Sequence, residues 1–505
     1  MDQQYILLIP FLFLLLLLLS LLIIIPFFTS WYRLRHIPGP RLGSWSYLWL
    51  ARGVWLGTQY DSYKTLHDTY GGSPLIRLGP NELTTDDPEI ARRMGSAKGA
   101  YSRARWYDAM RLNVDHAAMF NLLDPHTHDR LKAKLAPGYS GRETPGLEDI
   151  VDQQLADLVE LIRKKYVTTK ENFRPLDLAR VIPLFTLDVI SRIALGREFG
   201  CVQADTDVYG FYHNTEVPLP ALCVVAEVPW LRKVVNSRLG LRLFGPKETD
   251  KVGIGKLMGL ANERVRQRWA SDTKDQKDML GSWMRHGITQ KECETEALLL
   301  FVAGSETTSV AMRLTLLYII STPRVYHNLR DEMRAAIGKG KVSSPITSAE
   351  ARELPYLQAV IYEGLRIRPV TTHPFPKEVP PGGDTIHGHF VPGGTAISTN
   401  ISALLRSKAL FGLDADVFRP ERFLEADEAA RAEMQRNVEL NFGYGRWMCA
   451  GKPIAHIELN KTYFELLRHF DFQIVNPTAG MNSRSHGTFF DKRLYVRVTD
   501  FTATA

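Results

Sequence analysis

The sequence predicts a mainly α-helical chain with small β regions, an α+β fold, preceded by a single N-terminal transmembrane helix. Three observations predict it. Long segments repeat apolar residues at helical spacing, among them Leu147 to Tyr166, Leu176 to Ala194, Lys251 to Trp269 and Thr289 to Ile320. Strand-like runs are few and short, and they flank turn dipeptides such as Gly79-Pro80. The chain also begins with an apolar stretch that carries no charged side chain between Asp2 and Arg33.

Within that stretch, Ile6 to Phe28 is almost unbroken Leu, Ile and Phe, which matches the roughly 20 apolar residues that span a bilayer. Pro10 and Pro26 fall near its ends, where proline is tolerated. A cleaved signal peptide fits worse: the run is too long, no basic residue precedes it and no small-x-small cleavage site follows. Arg33, Arg35 and Arg41 come next, which by the positive-inside rule puts the bulk of the chain in the cytosol. Ile37-Pro38-Gly39-Pro40 makes a stiff, extended exit. The expected organisation is an anchor over 1–32, a proline-rich hinge over 33–41 and one large domain over 42–505.

The 505 residues are 45% apolar and 23% charged, ordinary values for a globular protein with a large core. A net charge of +7 is mild at this length and argues against a nucleic-acid partner. It suits anionic membrane lipid or an acidic protein. The four cysteines, Cys201, Cys223, Cys293 and Cys449, form no CxxC pair, which argues against a zinc site and against a disulfide scaffold.

In the front of the large domain Tyr60 to Tyr70 reads as helix, Leu75 to Leu78 and Asn81 to Thr85 as strands, and Asp87-Pro88 as a helix start. Tyr101 to Leu123 is irregular and aromatic. On the helical segment that follows, His128 and Lys132 stand four apart and share one face. Cys201 to Pro220 reads as loop-rich.

The long helix Thr289 to Ile320 carries Ala303-Gly304-Ser305-Glu306-Thr307-Thr308 in its middle. Glycine inside a helix costs about 1 kcal/mol against alanine, so Gly304 implies a close approach to the helix backbone. Thr307 can bond the Ala303 carbonyl four residues back. Further on, Glu363 and Arg366 are spaced to meet on one helix face, and Arg422 lies in Pro420-Glu421-Arg422-Phe423. Between them, His373, Pro374 and Phe375 read as pocket-lining, Asp384 to Ile386 and Phe390-Val391 as a hairpin, and Ala396 to Ile401 as a strand.

Near the C-terminus, Phe442-Gly443-Tyr444-Gly445-Arg446-Trp447-Met448-Cys449-Ala450-Gly451 sets a cysteine among glycines just ahead of a helical run from Pro453 to Phe470. Backbone N–H donors and the helix N-terminus both favour a thiolate there. The bland alternative is a small buried cysteine in a glycine-rich turn.

Taken together, Gly304–Thr307, Glu363–Arg366, Pro420–Phe423 and Phe442–Gly451 resemble, in order, the signature segments of the cytochrome P450 family, of the microsomal type. The region after Gly451 and the Arg446-Trp447 pair are closest to filamentous-fungal members of the pisatin-demethylase kind. The resemblance implies a P450 fold holding haem b (iron protoporphyrin IX), with Cys449 as the axial thiolate of the iron. It places Phe442, Gly445, Arg446, Trp447, Gly304, His128, Lys132 and Lys377 around the haem, the last three toward its propionates. Lys132 stands where the family usually has arginine, and Trp447 where it has arginine or histidine. Thr307 would hold a protonating water and Glu306 would relay protons from solvent. Glu363, Arg366 and Arg422 would form a structural lock. The implied activity is a monooxygenase that hydroxylates, epoxidises or otherwise oxidises a lipophilic small molecule with O₂, in a secondary-metabolite pathway. Electrons would come from NADPH–cytochrome P450 reductase, with cytochrome b5 as a further donor, at the cytosolic face of the endoplasmic reticulum. The competing readings are an oxygen-independent haem-thiolate isomerase or dehydratase, a detoxifying P450, and a membrane-tethered haem carrier.

Overall fold

A computed structural model describes residue 25 and residues 28–501, apart from 272, 274 and 374. Most of the Ile6 to Phe28 segment expected to span the membrane lies outside the described residues, as does Pro374. Among the described residues, one helix is long and apolar enough to cross a bilayer, Gln290–Ser321, and 67% of its apolar window is buried inside the protein. It is therefore a core helix of the fold, apolar nearly all round because protein surrounds it.

Seven helices position the site: α1 (Pro125–Tyr139), α2 (Leu178–Leu195), α3 (Leu219–Glu227), α4 (Pro229–Val235), α5 (Gln290–Ser321), α6 (Pro355–Ile367) and α7 (Lys452–His469). The central helix α5 starts at a capping box in which Thr289 and Glu292 satisfy each other's backbone N–H groups. It ends where Thr322-Pro323 opens the next helix. Phe301, Met312, Leu314, Leu316 and Ile319 are fully buried along it. Against it lies α2, whose Val181, Ile182, Phe185, Leu187 and Val189 are likewise buried. The glycine expected to admit a close approach does so: a Cβ on Gly304 would sit 2.8 Å from the Ile190 side chain of α2.

Beside this helical body stands a five-stranded sheet. Its strands are β1 (Leu75–Gly79), β2 (Glu82–Thr85), β3 (Ser102–Arg103), β4 (Lys377–Glu378) and β5 (Ala396–Thr399), in the order β1-β2-β5-β4-β3. The β2–β5 pair is parallel and the others antiparallel. The segment leading into the domain packs onto this sheet, with Leu34 and Ile37 buried and the Arg77 N–H donating to the Pro38 carbonyl at 2.7 Å. Smaller sheets join Leu176–Asp177, Tyr495–Asp500 and Phe470–Ile474, and pair Asp384–Ile386 with His389–Val391.

Two local expectations differ. Tyr60 to Tyr70 breaks at Thr65 into Gln59–Lys64 and Leu66–Thr69. Cys201 to Pro220 is not mainly loop but contains two short helices, Cys201–Ala204 and Phe211–Glu216. Asp188, from outside the segment, accepts from the N–H groups of Cys201 and Val202, and Asp207, within it, accepts from those of Phe211 and Tyr212, so both helix starts are satisfied.

Behind the site, α6 carries Glu363 and Arg366, both fully buried. Arg366 meets Glu363 through two bonds of 2.7 and 2.8 Å, and Arg422 Nε reaches the same carboxylate at 3.1 and 3.2 Å. The remaining guanidinium N–H groups go to the carbonyls of Leu405, Phe411, Asp414, Ala415 and Val417 and, from Arg422, to the Asp414 carboxylate at 2.9 Å. Every charge in the cluster thus has partners, the condition under which a buried ionic group is tolerated.

Candidate active site

A cavity of about 350 Å³ lies between the loop carrying Cys449 and the middle of α5. Cys449, Phe442 and Trp447 line one side, and Ala303, Gly304 and Thr307 the other. Its remaining walls include Ile190, Leu299, Leu300, Val370 and Phe120, an apolar surround suited to a lipophilic ligand.

The loop keeps its shape through its own backbone. The Cys449 N–H donates to the Phe442 carbonyl at 2.7 Å, closing a ring around the glycines. Gly443 and Gly445 take φ of 73° and 55°, and a Cβ on Gly445 would lie 2.4 Å from the Gly95 carbonyl oxygen. Only glycine fits there. Cys449 opens to the cavity, while Cys201, Cys223 and Cys293 are buried. Burial pushes the Cys449 thiol up, opposed by the N–H groups of Gly451 and Lys452 and by the charges of Lys132 and Lys452. Cys201 has no such counterweight from a cation and is pushed up to about 12.

Four residues expected around the haem do not line the cavity: Gly445, which packs against Gly95, and Lys132, Arg446 and His128. Lys132 donates to the carbonyls of Arg446 and Met448, both at 2.8 Å. It is drawn to the back of the cysteine loop because two carbonyls there lack any other donor, so it meets the loop where a propionate contact was expected. The Arg446 guanidinium faces outward to Asp129 at 2.9 Å and to the Ala97 carbonyl at 2.7 Å. His128 is buried, its ring 4.6 Å from the Trp447 ring and its Nδ1 3.0 Å from Asp129. Burial and the nearby Arg103 charge lower its pKa to about 4, so it is neutral at pH 7.

Trp447 and Lys377 do line the cavity, with Arg103, which sequence reasoning missed. The Arg103 guanidinium lies 4.6 Å over the Trp447 ring, and Lys377 Nζ lies 5.9 Å from it. Lys377 donates only to neutral groups, the Tyr107 hydroxyl at 3.1 Å and the Phe375 carbonyl at 3.0 Å. Burial and the Arg103 charge hold its pKa well below the ordinary lysine value. Arg103 and Lys377 meet no carboxylate among the described residues, and the buried Trp447 Nε1 and Arg103 Nε have no hydrogen-bond partner there. Buried cations in want of an anion fit a group bearing carboxylates, as haem propionates are. Arg103 sits on a two-residue strand, and its only local sign was alternation with the exposed Arg105.

On α5, Thr307 Oγ1 donates to the Ala303 carbonyl at 2.9 Å. Glu306, one residue away, is turned about 100° around the helix and does not line the cavity. Its carboxylate pairs with Arg313 at 2.9 Å, and Arg313 also reaches Asp491 at 3.4 Å. Burial raises the Glu306 pKa and Arg313 opposes the rise. Two further buried acids border the cavity. Glu296 accepts the Met119 N–H at 2.5 Å and is pushed up to about 7 by burial. Glu458 is held well above the usual carboxylate range by burial alone, with Oε2 unpartnered among the described residues. Among the described residues there is no cluster of three His, Cys, Asp or Glu side chains to bind a bare metal ion.

Comparison with known proteins follows the same residues. The family model described as Cytochrome P450 matches residues 38–489. "Cytochrome P450 monooxygenase aba1" of Botryotinia fuckeliana is 48% identical over 474 residues, 93% of each chain. "Cytochrome P450 monooxygenase ABA1" of Pyricularia oryzae is 45% identical over 473 residues, 92% of each chain. "Cytochrome P450 monooxygenase abl1" of Leptosphaeria maculans is 44% identical over 489 residues, 94% of this chain and 86% of the relative.

Proposed function

Since the chain belongs to the cytochrome P450 family, and is by that membership a haem-dependent monooxygenase, we propose that it inserts one oxygen atom of O₂ into a lipophilic secondary metabolite at the Cys449–Thr307 cavity. The cofactor is haem b, which when bound supplies an iron centre where dioxygen is activated with two electrons.

The chain's own residues do the rest. Cys449 would hold the haem iron through its thiolate, in a loop kept in shape by the Phe442 carbonyl and backed by Lys132 on the loop's carbonyls. Arg103, Lys377 and Trp447 would hold the propionates. Arg103 provides the charge that the family pattern carries at position 447, since its guanidinium lies against the Trp447 ring. Phe442, Gly304 and Ala303 complete the walls.

Thr307 donates its own hydroxyl proton to Ala303, which leaves its lone pairs free to accept from a water in the cavity. That water then presents its second proton to the oxygen side of the site. Glu306, held in place by its ion pair with Arg313, would relay protons toward this position from the far face of α5. Leu299, Leu300, Ile190 and Val370 exclude bulk water and select an apolar substrate.

We take the anchor to be 1–32, the hinge 33–41 and the catalytic domain 42–505, on the endoplasmic reticulum facing the cytosol. NADPH–cytochrome P450 reductase donates the electrons, assisted by cytochrome b5. The observation that carries the reading is a cavity with a glycine-framed cysteine on one side, a backbone-tethered threonine on the other and unpaired buried cations at its edge. The test is a reduced carbon monoxide difference spectrum. A red-shifted Soret band is expected from the wild type and none from Cys449→Ala; identical spectra from the two would sink the assignment.

A further inference from the structure

A second cavity, of about 440 Å³, lies between the five-stranded sheet and helices α3 and α4. It shares a wall with the first, because His373 lines both. That wall is built as a unit. His373 stacks on Trp106 with ring centroids 3.8 Å apart, and its Nε2 lies 2.6 Å from Glu227 of α3. Both members of the pair are almost wholly buried.

The two cavities differ in chemistry. The first has apolar walls on its oxygen side and must hold a haem as well as a substrate. The second is lined by Arg232 of α4, Glu82, Glu227, Glu378 and Tyr47, with Arg105 and Lys233 adding positive charge. Arg232 donates one N–H to the Ala226 carbonyl at 2.6 Å and has no ion-pair partner among the described residues. Glu227 is engaged by His373, and burial pushes Glu82 up to about 7. A half-buried guanidinium with unused donors recognises oxygen lone pairs, most strongly those of an oxyanion.

We propose that this second cavity is a binding compartment for the oxygen-bearing end of the ligand, whose hydrocarbon part reaches the first cavity past the His373–Glu227 partition. The proposal rests on the monooxygenase reading of the first cavity. A substrate with a polar end enters hydrocarbon first and is oriented by Arg232. The partition keeps the polar end out of the apolar cavity, where an unpaired oxygen would be costly. The ligand class is an elongated lipophile ending in a carboxyl, hydroxyl or carbonyl group.

The test titrates the holoenzyme with dodecanoate, dodecan-1-ol and imidazole, read by Soret shift and by calorimetry. Imidazole is small enough to report on the haem cavity alone. Arg232→Gln is expected to weaken dodecanoate about tenfold and dodecan-1-ol about threefold or less, as for loss of a charge-assisted bond. Ala396→Phe, which fills the second cavity from β5, is expected to weaken both chains about tenfold. Imidazole should bind all three proteins alike. Unchanged dodecanoate binding in both variants overturns the proposal, and so does a loss that imidazole shares equally. A wild type that gives no imidazole spectrum sinks instead the haem reading beneath it.

Discussion

The guanidinium of Arg103 lies 4.6 Å over the indole ring of Trp447, and neither Arg103 Nε nor Trp447 Nε1 has a hydrogen-bond partner among the described residues. One residue comes from an edge strand and the other from the cysteine loop, 344 positions apart by their numbers. Together they present a cation and an N–H donor to the same cavity. On the reading of Arg103 as a propionate anchor, Arg103→Leu weakens haem retention about tenfold or more, since a charge-assisted hydrogen bond contributes about 1.5–3 kcal/mol. Trp447→Phe, which keeps the ring and removes one neutral donor, has the smaller effect. Haem transfer to apomyoglobin measures both.

Glu363 bears two guanidinium groups in a buried site. Glu363→Ala leaves Arg366 and Arg422 buried beside each other, which costs about 3–5 kcal/mol. The expected outcome is a protein that accumulates little haem and melts at a lower temperature, with no change in which product the residual enzyme makes. Haem content per chain and a thermal melt check it. A fully loaded variant would show that the cluster does not govern the site.

Thr307→Ala removes the hydroxyl tethered to the Ala303 carbonyl without opening the helix. NADPH oxidation is expected to continue near its normal rate while hydrogen peroxide rises and product per NADPH falls severalfold. Thr307→Ser, which restores the hydroxyl, should recover most of the yield. Equal yields from the alanine variant and the wild type would remove Thr307 from the proton path.

Glu296 gives a pH signature. Burial raises its pKa from 4.5 to about 7, against the pull of the Met119 N–H and Arg103. A carboxyl whose pKa is higher in the folded state binds its proton more tightly there. Its contribution to stability is therefore full below pH 4.5 and declines as pH climbs toward 7, by about 3 kcal/mol at most. Glu296→Gln can still accept from Met119 but cannot ionise. The melting temperature of the wild type should fall more steeply between about pH 5 and pH 8 than that of the variant.

Much of this was legible from local pattern. The helix expected over Thr289 to Ile320 occupies Gln290–Ser321, and the helix face expected to carry Glu363 and Arg366 lies on Pro355–Ile367. The first is a long apolar run whose end Pro323 fixes, and the second carries a clear amphipathic period. The spacing of Glu363 and Arg366 put them on one face, where they meet at 2.7 Å. What the sequence hid were charges that face inward. Arg103 and Glu296 look like surface residues in a string of letters, and only tertiary packing turns them toward the cavity. Lys132 and Glu306 were hidden in the opposite sense. Their neighbours in sequence suggested the cavity, but Lys132 found the loop carbonyls and Glu306 found Arg313 on another face of its helix.

The Glu363 cluster has a consequence for assembly. Its two guanidinium groups and one carboxylate are mated wholly by the chain, through main-chain carbonyls of residues 405 to 417. The foundation beneath the chamber therefore draws every partner from the chain and none from the porphyrin, so its integrity is a property of the polypeptide alone.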